Sequence, residues 1–157
     1  MKTIILLLTL ISVVGYSQTF HIGAGATVND NKFSPLGYYA SAKVTNHLSG
    51  NVGFSGVLIF MNQISKSNDI TSKVNSVSGE FLYNYFLLKD KMKLMAGFQM
   101  GLITSASNNN KDKGLFSFNA GASYELRRIE ISAKYMTIIS DNPFNSTLAI
   151  GAAYRIR

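Results

Sequence analysis

The chain has 157 residues, a formal net charge of +7 and 46% hydrophobic residues, yet only 15% of it is charged. Soluble domains carry roughly 25% charged residues, so an exterior wetted by water on all sides is disfavoured. The absence of Cys excludes disulfides, thiolate metal sites and lipidation at a new N-terminus. The lack of Trp and the scatter of the positive charges argue against a nucleic-acid partner.

Residues 1–17 read as a cleaved export signal. Lys2 supplies the positive start, Ile4 to Val14 the apolar core, and Gly15 and Ser17 the small residues before a cut at Gln18. The apolar run is too short for a spanning helix, which needs roughly 20 residues. Residues 18–157 then form one domain of eight runs in which apolar and polar side chains alternate. A period of two means strands. They are expected at 19–28, 36–45, 51–62, 73–87, 92–103, 115–125, 129–138 and 147–156.

The connections alternate in character. Those at 29–35, 63–72, 104–114 and 140–146 are long and rich in Asn, Ser and Asp, and hold both prolines, Pro35 and Pro143. Those at 46–50, 88–91 and 126–128 are short. An even number of strands brings both ends of the domain to the tight-turn side. The expected fold is therefore all-β, an eight-stranded antiparallel up-and-down transmembrane β-barrel with long loops at one end.

The two faces of the strands differ. One parity carries Phe20, Ile22, Leu94, Phe98, Phe118, Ile131, Tyr135 and Ile150; the other carries Lys43, Ser55, Glu80, Asn84, Gln99, Asn119, Glu130, Lys134 and Arg155. Gly23, Gly25, Gly37, Gly53, Gly97, Gly101, Gly121 and Gly151 share the polar parity. An eight-stranded barrel has an interior only wide enough for side chains, and glycines there leave room for long charged residues to fold inward. A soluble, lipocalin-like secreted barrel would invert this arrangement. Strand 51–62 is ambiguous, because Val57, Ile59 and Met61 make its second face apolar as well. Aromatic residues gather near strand ends, with Phe20, Tyr85, Tyr124 and Tyr154 at the tight-turn rim and Tyr38, Phe60, Phe116 and Tyr135 at the other. Two such girdles mark membrane interfaces.

With these features the chain resembles the small bacterial outer-membrane barrel families, the OmpX-like, porin-family proteins and the OmpA transmembrane domain. Its last strand, Gly151-Ala-Ala-Tyr154-Arg-Ile156, is similar to the glycine, aromatic and hydrophobic signal by which such barrels reach the assembly machinery. The resemblance implies an outer-membrane location, with lipids and the barrel-assembly machinery as partners and the long loops offered to a surface partner. It also implies a non-enzymatic structural or surface-interaction role.

Lys43, Glu80, Glu130, Lys134 and Arg155 are expected to form a self-neutralising charge cluster in the lumen, with Glu130 and Arg155 at similar depth. Read as a narrow pore instead, the same cluster would line an ion path. Some barrels of this size modify lipid A with His, Ser and an acid. The single His-x-Ser here is His47-Leu-Ser49, with none of Asp30, Glu80 or Glu130 placed beside it, and His21 reads as a lumen histidine. No catalytic residue is assigned. Asn108 to Asp112 offers one carboxylate between Lys111 and Lys113 and reads as a surface loop, so neither metal nor cofactor is expected. The tight-turn rim collects Lys89, Lys91, Lys93, Arg127, Arg128, Arg155 and Arg157 against Asp90 and Glu125, a pattern suited to anionic phospholipid headgroups.

Overall fold

A computed structural model describes residues 18–29, 37–67, 70–106, 114–138 and 146–156. Eight strands run β1 (Gln18–Asn29), β2 (Gly37–Ser49), β3 (Val52–Ser67), β4 (Ile70–Leu87), β5 (Met92–Ala106), β6 (Gly114–Leu126), β7 (Ile129–Ile138) and β8 (Ser146–Arg155). Each pairs antiparallel with its sequence neighbours, and β1 pairs with β8 to close the barrel. Closure removes every sheet edge over the shared length of the strands. That is what allows a sheet to cross hydrocarbon with its backbone groups satisfied. Among the described residues no helix is long and apolar enough to cross a membrane.

Alternation along each strand decides the faces. Glu80, Glu130 and Lys134 are buried at 3%, 2% and 8% exposure, while Phe98, Phe118 and Ile131 stand outward at 40%, 56% and 54%. The outer surface also presents both aromatic girdles, from Tyr38, Phe60 and Tyr135 at one end to Tyr85, Tyr124 and Tyr154 at the other. A lipocalin-like barrel would show the reverse. Phe54, Phe81, Phe98, Phe116 and Phe118 form a chain of ring contacts at 5.3–6.5 Å across β3 to β6. These rings sit in offset and edge geometries and fix neighbouring strands to one another from outside.

The short turns carry the left-handed backbone that tight hairpins need. Gly50 has φ 59°, and the β6–β7 turn places Arg127 at φ 59° between the paired Leu126 and Ile129. The β4–β5 turn holds Leu88, Lys89 and Asp90 at φ 49°, 55° and 68°. A hydrogen bond of 2.6 Å from the Glu125 amide to the Lys91 carbonyl ties the β4–β5 turn to the end of β6.

Three expectations change. The segment 63–72 is mostly ladder and not loop, since β3 and β4 stay paired from Gln63↔Val74 to Ser67↔Ile70. Its many polar residues read as a loop in sequence, but over 63–67 and 70–72 each strand supplies the other's backbone partners. His47 to Ser49 ends β2 across a register shift and is not a free turn. Lys93 lies inside the barrel, 2% exposed, and not on the rim. The expected signal 1–17, residues 30–36, 68–69, 107–113 and 139–145, and Arg157 lie outside the described residues.

Candidate functional site in the barrel lumen

The lumen is filled by side chains from all eight strands, polar and apolar interleaved. Tyr39, Val57, Ile59, Met61, Leu82, Met95, Met136 and Ala149 make a buried apolar group, so the second apolar face of β3 is the inner one. Val74, Ile103 and Leu115 form a second group towards the long-connection end. The lumen also holds two ionic centres.

The first is built on Glu130 of β7. Its Oε1 accepts a hydrogen bond from Lys43 of β2, and its Oε2 accepts one from Lys93 of β5 at 2.6 Å. Room for these long side chains comes from small neighbours, with Ala153 opposite Glu130 and Gly23 opposite Ala153. His21, 1% exposed, brings Nε2 to 3.6 Å from Glu130 Oε2, and neither ring nitrogen has a hydrogen-bond partner among the described residues.

The second centre is Glu80 of β4. Lys134 donates to its Oε2 at 2.6 Å and Asn119 to its Oε1 at 2.5 Å. Gln99, Ser78 and Ser117 extend the network around the wall, with Ser117 donating to Asn119 Oδ1 at 2.9 Å and Gln99 donating to Ser78 Oγ at 2.5 Å. Gly121 lies beside the Lys134 stem, where a Cβ would press on Lys134 Cγ. Buried charges at this density persist only when paired and hydrogen-bonded, which both centres achieve.

The five residues expected as one cluster therefore divide. Lys43 joins Glu130, Lys134 joins Glu80, and Arg155 joins neither. Arg155 turns to the rim, where Nη1 meets Glu125 Oε1 at 2.7 Å and Nη2 donates to the Arg127 carbonyl at 3.1 Å. In the closed register it is Ala153 that faces Glu130, which leaves Arg155 one layer nearer the mouth. Lys93 and His21 are the members that alternation alone did not group with Glu130. Their inward parity was readable, but that their side chains reach the Glu130 carboxylate was not. Of the expected assembly signal, Gly151 lies inside against the Tyr39 ring, while Tyr154 and Ile156 face outward. The Ile156 amide donates to the Phe20 carbonyl at 2.8 Å, at the seam where β8 meets β1. His47 stacks on Phe86, with centroids 3.9 Å apart, and the Ser49 side chain lies outside those described. The 108–112 segment is likewise outside the described residues.

No protein-family model and no curated protein matches the chain. Solved structures do. The outer membrane protein Ail of Yersinia pestis, in a phospholipid bilayer nanodisc, aligns with a TM-score of 0.57 and 16% identity over 89% of this chain and 100% of that one. Neisserial surface protein A aligns at 0.52 and 17% identity, covering 88% and 94%.

The chain has the fold of the small eight-stranded outer-membrane β-barrels.

The outer membrane enzyme PagL shares this barrel fold at a TM-score of 0.50 and 12% identity, over 90% and 99% of the two chains. A second structure of Ail holds the heparin analogue sucrose octasulfate, and aligns at 0.53 and 16% identity over 88% and 97%. One barrel architecture thus serves an enzyme and surface proteins alike, and function has to be argued from side chains.

Proposed function

We propose that this chain is exported, processed before Gln18 and inserted in a bacterial outer membrane, where it serves a non-enzymatic structural or surface-interaction role. The observation that carries the reading is the unequal height of the barrel wall. β3 and β4 remain paired to Ser67↔Ile70, whereas β2 follows β3 only to Tyr38↔Asn62 among the described residues. Five further residues of β3 at about 3.3 Å each carry the β3–β4 ribbon roughly 16 Å beyond that point. A strand raised in this way is suited to recruit partners by strand addition. Ail, with its bound heparin analogue, supports a binding role for a barrel of this shape.

Against the pore reading stand Ile59, Leu82 and Met136, packed across the lumen at 1–2% exposure. Against a lipid A-modifying enzyme stands the His47 ring, stacked face-on against Phe86. Gly151, Tyr154 and Ile156 fit the role of an assembly signal, with an outward aromatic and aliphatic pair on the closing strand.

The chain has no native Cys, so single introduced thiols report its orientation. Asn68→Cys is expected to react with a membrane-impermeant maleimide on intact cells, and Asp90→Cys only after the outer membrane is broken. The protein should also migrate differently in detergent gels before and after boiling. The opposite labelling, or protein in the aqueous fraction, would reject the proposal.

A further inference from the structure

We infer that the lumen holds a site for one small monovalent anion, of halide size, between Lys43 and Lys134. The argument starts from charge. Among the described residues the barrel buries Lys43, Lys93 and Lys134 against Glu80 and Glu130, while Glu125 and Arg155 neutralise each other at the mouth. Glu80 has one lysine; Glu130 is shared by two. One positive charge is left over inside a sheet whose outer face is apolar, where screening is weaker than at an exposed surface.

A cavity of about 30 Å³ lies where the two centres approach each other. Its wall includes Lys43 and Lys134 together with the hydroxyl-bearing Tyr39, Ser41 and Ser132. Glu130 also reaches it, with each of its oxygens already held by a lysine. The volume suits on the order of one or two water-sized spheres, too few for a phosphate or a sulfate. Water alone would hydrate the wall and leave the charge uncompensated. A cation is excluded by the same count. His21, Glu125 and Glu130 do bring ligand atoms within 4.8 Å of one another, but Lys43, Lys93 and Arg155 already occupy those carboxylates. A halide at the cavity would receive hydrogen bonds from ammonium and hydroxyl groups and bring the buried charge to zero.

The test uses the folded full-length domain in detergent micelles, with urea unfolding followed in sodium gluconate, chloride and bromide at equal ionic strength. The unfolding midpoint should rise with chloride or bromide and saturate. Lys43→Gln leaves Glu130 with Lys93 alone and the lumen neutral, so it should flatten that response. Equal wild-type midpoints in all three salts, or a halide response retained by Lys43→Gln, would overturn the inference. Bromide-soaked crystals of the wild type give a second reading that requires no variant. An anomalous peak between Lys43 and Lys134 is expected, and its absence would count against the site.

Discussion

The Tyr39 hydroxyl lies where a Cβ on Gly151 would have to go. Its ring also covers Gly25, so the side chain of β2 reaches across β1 to β8 over a floor of two glycines. This relationship gives Gly151 a packing role inside the barrel, separate from any role in delivery to the assembly machinery.

Gly151→Ala is expected to displace Tyr39 and destabilise the folded barrel by about 1–3 kcal/mol, the range for overfilling a packed interior. Urea titration of refolded protein measures this without the cell's machinery. Tyr154→Ala, whose side chain faces outward, should leave that midpoint far less changed while lowering the amount of barrel assembled in cells. Equal effects of both variants in both assays would merge the two roles.

Glu130→Gln removes the acceptor of two buried lysines at once. The expected loss is about 3–5 kcal/mol, the range for breaking a buried pair and stranding its partner. Lys93→Met should cost much less, because Lys43 still neutralises Glu130. Combining Glu130→Gln with Lys93→Met should recover part of the loss, and a double-mutant cycle of unfolding midpoints reads the coupling directly. Strict additivity would show that the ionic centre is not energetically connected.

Arg127 occupies a left-handed position in a two-residue turn, where side chains other than those of Gly or Asn carry strain. Arg127→Gly is expected to stabilise the barrel by about 1 kcal/mol through relief of that strain. A lower unfolding midpoint would mean that the guanidinium contributes more than the backbone conformation costs.

With Lys93 inside the barrel and Arg155 neutralised by Glu125, the rim among the described residues presents exposed Lys89, Lys91, Arg127 and Arg128 against Asp90. Exposed Leu88 and Leu126 stand among these cations, and Tyr85, Tyr124 and Tyr154 ring the wall above them. Apolar tips among cations fit a surface resting at the headgroup level of an anionic leaflet. Replacing all four cations with Gln should reduce the enrichment of anionic over zwitterionic phospholipid around the reconstituted barrel. The difference should also fade as salt is raised. Unchanged lipid selectivity would reject the assignment.

Conductance in planar bilayers offers a further check. The packed Ile59, Leu82 and Met136 are expected to keep the wild-type lumen closed, whereas Ile59→Ser combined with Leu82→Ser should admit measurable ion flow. Steady wild-type steps abolished by Glu80→Ala would favour the pore instead.

What the amino-acid order determined alone was the number of strands, their pairing in sequence and, outside strand 51–62 and Lys93, the side of the sheet that strand residues face. All three follow from a period of two and from turn chemistry, which are local properties. Glu80, Glu130 and Lys134 could therefore be placed inside, and Phe98 and Ile131 outside, with no knowledge of neighbours. Depth was another matter. Glu130 meets Lys93 and Lys43, and misses Arg155, because the stagger of a closed sheet sets which inward residues share a level. That stagger belongs to the whole ring of eight strands and is written in no single one. The same holds for 63–67 and 70–72, polar stretches without a clear alternation, which become ladder only because β3 and β4 supply each other's backbone partners.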